Sequence, residues 1–137
     1  MVIKMKDKPV ILAVDDNSSV LKSINFFLRE LYTVRTLVDP EKLQGLLEAI
    51  TPDMFIFDYN MPELNGFDLI RLIRSVPEHE NTPVIFITSE GKAEHISEAL
   101  SLGACDYFVK PIDGELLREK VAIHLDGYLQ RRSQSEL

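Results

Sequence analysis

The sequence predicts a doubly wound α/β domain, with a five-stranded parallel sheet between two layers of helices. Three observations predict it. Solid apolar runs at 10–14, 54–57 and 84–87 suit strands buried on both faces, as in a parallel sheet covered by helices. Between them lie segments with apolar residues at three- and four-residue spacing. Strand and helix patterns alternate five times, which implies right-handed crossovers within one sheet.

The elements follow in order. Val10-Ile11-Leu12-Ala13-Val14 is the first strand and Asp15-Asp16 close it. Asn17-Ser18-Ser19 caps a helix whose expected inner face is Val20, Ile24, Phe27 and Leu31. Residues 33–38 are richer in polar side chains and suit an edge strand. Asp39-Pro40 pairs an N-cap with an N1 proline, and Leu43, Leu46, Leu47 and Ile50 face inward. Met54 to Phe57 runs straight into Asp58. Met61-Pro62 and Asn65-Gly66 then supply turn chemistry, the latter read as permission for left-handed backbone.

In the next helix Phe67, Ile70 and Ile73 face inward, while Asp68, Arg71 and Arg74 face away. Residues 76–82 are expected as loop. The run at 84–87 ends in Thr88-Ser89; Ala93, Ile96, Ala99 and Leu100 mark a helix that Gly103 stops. Residues 106–109 form a short strand ending in Lys110-Pro111. Asp113 caps the last helix, where Leu117, Val121, Leu125 and Tyr128 repeat. The reading divides the chain into a lead at 1–8, one domain at 9–128 and a polar tail at 129–137 that frays, with no internal repeats.

Length and charge bound the function. At 137 residues the chain is one domain's worth. A net charge of −7 argues against a general nucleic-acid or anionic-membrane surface. One cysteine, Cys105, excludes an internal disulfide and fits a reducing compartment. No apolar run is long enough for a signal-peptide core or a membrane span, so a cytoplasmic location is expected. His79, His95 and His124 are scattered without metal-ligand spacing and are read as surface or helix positions.

The polar groups at the strand ends collect on one rim. Asp15 and Asp16 follow the first strand, Asp58 ends the third, Thr88 the fourth, and Lys110 follows the fifth. In the flavodoxin-like order 2-1-3-4-5, strands one and three are neighbours and their crevice is the binding site. At about 5 Å and an effective dielectric near 20, each carboxylate pair repels by roughly 3 kcal/mol. A hard divalent cation such as Mg2+ offsets that repulsion. The chemistry this suits is phosphoryl transfer to the Asp58 carboxylate, with Lys110 and the Thr88 hydroxyl facing the transferred oxygens.

These residues resemble the receiver domain of two-component response regulators. The resemblance runs from about Val10 to Leu125. It is carried by Val14-Asp15-Asp16-Asn17, Asp58 to Met61-Pro62 with Asn65-Gly66, Ile87-Thr88-Ser89, Gly103-Ala104, Asp106-Tyr107 and Lys110-Pro111. It implies that Asp58 accepts a phosphoryl group from a histidine kinase or a phosphotransfer protein. It implies that Asp16, Asp58 and the Asn60 carbonyl bind Mg2+, with Asp15 acting through water. Thr88 is then the switch hydroxyl, Tyr107 the switch aromatic and Lys110 the phosphate-binding lysine, with a cis bond before Pro111.

The resemblance also implies that Asn60 and Glu90 tune phosphate lifetime; the pair is similar to that of the chemotaxis regulator and points to quick self-dephosphorylation. The expected output surface is the last strand and last two helices, with Lys92, His95, Arg118 and Glu119 as contacts. It serves a downstream target protein or a missing output domain, as a monomer or a phosphorylation-dependent dimer. Two rivals share parts of the pattern. A flavodoxin-like electron carrier needs a Ser/Thr/Gly-rich loop after the first strand, where this chain has two aspartates. A Mg2+-dependent aspartyl-nucleophile phosphatase of the haloacid-dehalogenase type needs an Asp-x-Asp motif there.

Overall fold

The structure is a computed structural model and describes residues 7–89, 91 and 93–135. Five parallel strands make one sheet: β1 (Val10–Val14), β2 (Thr33–Leu37), β3 (Met54–Asp58), β4 (Val84–Thr88) and β5 (Asp106–Val109), in the order β2-β1-β3-β4-β5. The helices between and after them are α1 (Ser18–Leu28), α2 (Leu43–Ala49), α3 (Gly66–Arg74), α4 (Ala93–Ser101) and α5 (Gly114–Ser135).

The solid apolar runs are explained by the pleat. Successive side chains point to opposite faces, so a strand covered on both sides is apolar at every position. Ile11, Ala13, Ile56, Ile85 and Phe108 pack with Leu21, Ile24, Leu28, Leu117, Val121 and Leu125 of α1 and α5. Leu12, Val14, Phe55, Phe57, Val84 and Phe86 pack with Leu43, Leu69, Ile70, Ile73 and Ala99 of α2, α3 and α4. The polar strand β2 is the edge beside β1, as expected.

Several local expectations are corrected. The buried stripe of α1 is Leu21, Ile24 and Leu28, and Leu31 lies beyond the helix end, 66% exposed. Arg74 does not face away. Its Nη1 donates to the carbonyls of His79 (2.8 Å) and Thr82 (2.7 Å), and its Nη2 to that of Gly103 (3.3 Å). The 76–82 segment contains a 3-10 turn, Pro77–His79, and His79 is a core residue at 2% exposure. Its Nδ1 meets the Thr82 hydroxyl at 2.8 Å and its ring stands edge-on to Phe55.

Asn65-Gly66 is not left-handed. Gly103, at φ +96°, is the one positive-φ residue among those described. Asn65 instead forms a reciprocal capping box with Asp68. Gly66 is required by close approach, because a Cβ there would lie 2.6 Å from the Phe86 ring. Finally, α5 continues across the boundary expected at 128/129 as far as Ser135, and Arg132 Nη1 reaches Asp53 Oδ1 at 3.2 Å. Among the described residues, no helix is long and apolar enough to cross a membrane.

Candidate functional site

The sheet register brings the strand ends to one rim. Val14 stands opposite Phe57, Asp58 opposite Ile87, and Thr88 opposite Val109. Asp15, Asp58, Thr88 and Lys110 therefore end on the same edge without any long loop to place them. Backbone bonds fix the exits: Asp15 N donates to the Leu37 carbonyl (3.2 Å), Tyr59 N to that of Ile87 (2.8 Å) and Lys110 N to that of Thr88 (2.8 Å). The Lys110–Pro111 bond is cis, as the family resemblance implies.

Two carboxylates divide their oxygens between structure and chemistry. Asp15 Oδ1 accepts from Asn17 N at 2.8 Å, and Asp58 Oδ1 from Asn60 N at 3.2 Å. Each thereby shapes its own loop. The two Oδ2 atoms turn toward Lys110, whose Nζ lies 3.1 Å from Asp15 and 3.3 Å from Asp58. Asp15 and Asp58 are 1% and 3% exposed, while Asp16 is exposed at the mouth.

Burying two carboxylates side by side has a cost. Loss of water first, then the charge of Asp15, raise the Asp58 carboxyl to about 7, although Lys110 and the Asn60 N–H oppose the rise. Burial alone would lower the Lys110 pKa, but Asp15 and Asp58 outweigh it and raise the ammonium above its ordinary value. The lysine is held protonated as the counter-charge.

The arrangement fits a divalent cation. Oxygens of Asp15, Asp16 and Asp58 lie within 4.8 Å of one another. Asp15 Oδ2 is buried with no well-aligned hydrogen bond among the described residues; only the Lys110 ion pair faces it. Three carboxylates and one ammonium leave two negative charges over. An all-oxygen set with an open side is what Mg2+ takes, since it keeps several waters.

Thr88, 5% exposed, accepts from Asn60 Nδ2 at 3.4 Å, so the loop after Asp58 already touches the β4 hydroxyl. Tyr107 lies one layer back, half-buried. With Thr88, Tyr59, His95 and Ala99 it lines a narrow gap under α4 of about 10 Å3, close to the space of one water. Sequence reasoning missed Tyr59. Its ring stacks on His95 (centroids 5.9 Å, interplanar 26°) and stands edge-on to Phe86 (5.5 Å, 86°). The available signal was strand alternation: the residue after a rim carboxylate points to the opposite face.

Of the expected output contacts, Arg118 and Glu119 are exposed and His95 is half-buried. Arg118 also donates to the Phe27 carbonyl at 2.8 Å and lies over that ring. Lys92 and Glu90 lie outside the described residues. Among the described residues, the loop after β1 places Asp15 and Asp16 where a flavin phosphate would need a glycine- and hydroxyl-rich cradle.

The chain as a whole is similar to known proteins. A model of the response regulator receiver domain matches residues 11–122. The chemotaxis protein CheY of Pseudomonas aeruginosa is 34% identical over 113 residues, covering 81% of this chain and 91% of that one. Protein RcaC of Microchaete diplosiphon is 33% identical over 112 residues, but the chain spans only 17% of its length. Among solved structures, Vibrio cholerae CheY4 superposes with a TM-score of 0.80 at 28% identity, covering 85% of this chain and 98% of that one. The BeF3-activated receiver domain of DrrB superposes with a TM-score of 0.77 at 27% identity, covering 87% and 98%.

Proposed function

The chain belongs to the response regulator receiver family and is a phosphorylation-dependent signalling switch; from that premise we propose that Asp58 is the phosphoacceptor, with Asp15, Asp16, Asn60, Thr88 and Lys110 as its working partners and 9–128 as the functional unit. The observation that carries the reading is the pair of Oδ2 atoms, from Asp15 and Asp58, converging on Lys110 at 3.1 and 3.3 Å.

The donor is a phosphohistidine on a kinase or phosphotransfer protein. An ionised Asp58 oxygen attacks phosphorus; an O–P bond forms, the N–P bond breaks, and the imidazole leaves with the electron pair and takes a proton from solvent. Asp16, Asp58 and the Asn60 carbonyl would hold Mg2+, with Asp15 acting through water. When bound, Mg2+ supplies the charge that keeps Asp58 ionised and opposes charge on the phosphoryl oxygens. Lys110, already protonated and 3.3 Å from Asp58, pairs with one of those oxygens. The loss of the phosphoryl group is attack of water on phosphorus, which breaks the O–P bond and releases inorganic phosphate. The exposed Asn60 side chain borders that approach.

The switch follows from packing. A new phosphoryl oxygen draws the Thr88 hydroxyl from Asn60, and Tyr107, which lines the narrow gap beneath α4, turns into the space that the hydroxyl vacates. The surface that responds is α4, β5 and α5, where Leu100, Val109, Leu116 and Ile123 are exposed apolar side chains. That surface meets a downstream protein, an output domain or a second copy, in the cytoplasm where the donor's phosphohistidine is reached. The test is exposure to acetyl phosphate with and without Mg2+, read by intact mass on the native chain and on Asp58→Asn. One phosphoryl group on the native chain with Mg2+ is expected, and none in the other conditions. Equal labelling of Asp58→Asn overturns the assignment.

A further inference from the structure

Helix α4 is attached to the phosphoacceptor strand by a residue that the Thr88 and Tyr107 account does not use. Tyr59 directly follows Asp58. Its backbone is fixed on both sides, since its N–H donates to the Ile87 carbonyl (2.8 Å) and its carbonyl accepts from Gly66 N (3.0 Å). The ring therefore has a set position relative to β3 and β4. One edge meets Phe86 of β4 and one face stacks on His95 of α4. Burial first, and then the Glu98 carboxylate one turn along α4 from His95, raise the Tyr59 phenol above its ordinary pKa. The hold of α4 on the sheet is otherwise thin: Ala99 is its one fully buried side chain among those described, and the narrow gap lies beside it.

We propose that the Tyr59 ring, edge-on to Phe86 and stacked on His95, forms a clasp that holds α4 in its resting position and must loosen when the switch is thrown. This rests on the reading of Asp58 as phosphoacceptor, and it adds a second route from that residue to α4. The two routes differ in direction. Tyr107 moves into space after Thr88 shifts, whereas the clasp restrains α4 before any phosphate arrives. Linkage then sets the sign: whatever weakens the clasp favours the activated arrangement, so a ligand specific for that arrangement binds more tightly by the same factor.

The experiment uses beryllofluoride with Mg2+ as the probe on the native chain, Tyr59→Leu, His95→Leu and the Tyr59→Leu/His95→Leu double variant. Hydrogen exchange over 94–101 is measured without beryllofluoride, and beryllofluoride affinity is measured separately. Loss of the ring stack is expected to speed exchange in α4 about fivefold, the factor for one aromatic pair. Beryllofluoride affinity should rise by up to the same factor, with exchange in β1 and β3 unchanged. Faster exchange throughout the chain, or faster exchange in α4 with unchanged or weaker beryllofluoride affinity, overturns the clasp and leaves a packing role. Unchanged exchange in α4 overturns it as well. If the native chain itself does not bind beryllofluoride, the phosphoacceptor reading fails first, and the clasp fails with it.

Discussion

Asp58→Asn should stabilise the metal-free protein at pH 8, although it removes the residue at the centre of the site. The side chain is 3% exposed and shares its pocket with Asp15. At 4.8 Å, the outer limit of separation for their facing oxygens, and an effective dielectric near 20, two carboxylates repel by about 3.5 kcal/mol. Lys110, at 3.1 and 3.3 Å, recovers part of this. Moving the carboxyl from its ordinary 3.8 to about 7 corresponds to an upper limit of about 4 kcal/mol, so a gain of about 2 to 4 kcal/mol is expected. Below pH 3.8 the group is protonated whether folded or not and contributes nothing. As pH rises from 3.8 toward 7, the unfolded chain gives up the proton while the folded chain keeps it, so stability falls; above 7 the full cost stands. The native protein and the Asp58→Asn variant should therefore unfold alike near pH 4 and diverge by about 6 to 15 °C at pH 8. Saturating Mg2+ should close most of that gap by stabilising the native chain. Thermal unfolding across pH, in EDTA and in Mg2+, measures it. A variant less stable than the native chain at pH 8 in EDTA would refute the electrostatic reasoning.

Three further outcomes follow from the packing. Burial lowers the His79 pKa, so the folded state resists its protonation; this contribution should fall as pH drops below 6.5, opposite in sign to that of Asp58, so in urea melts the native chain should lose stability relative to His79→Phe over that range. Gly114→Ala places a Cβ 2.3 Å from the Phe27 ring and should cost about 1 to 3 kcal/mol by urea unfolding, unless Phe27 turns outward at little cost. Arg74→Met leaves the carbonyls of His79, Thr82 and Gly103 without their shared donor and should cost about 2 kcal/mol or more, with faster amide exchange confined to 76–83 and 102–105.

The fold was legible because three of its strands, β1, β3 and β4, are buried on both faces. A run such as Phe55-Ile56-Phe57 ending in Asp58 leaves little choice of environment, and alternation with helices leaves little choice of topology. The site was legible for a related reason: parallel strands put all their C-terminal ends on one edge, so Asp15, Asp58, Thr88 and Lys110 converge without long-range information. What escaped depends on partners distant in sequence. His79 looks like a loop histidine until Phe55 and Thr82 are beside it. Arg74 carries a charge suited to solvent, yet three carbonyls from two turns surround it. The α1 pattern admits two adjacent stripes that share Ile24, and only packing against Leu117, Val121 and Leu125 of the distant α5 selects the one with Leu21 and Leu28. The last turns of α5 are polar, and the Asp53 that meets Arg132 lies 79 residues away.

The most direct measurement locates the modified atom. The native chain is treated with acetyl phosphate and Mg2+, the acyl phosphate is reduced with borohydride, and peptide masses are read residue by residue. Reduction at position 58 alone, abolished by EDTA, is the predicted result. A label on a histidine, on Asp15 or Asp16, or one that forms equally well without divalent metal would contradict the account.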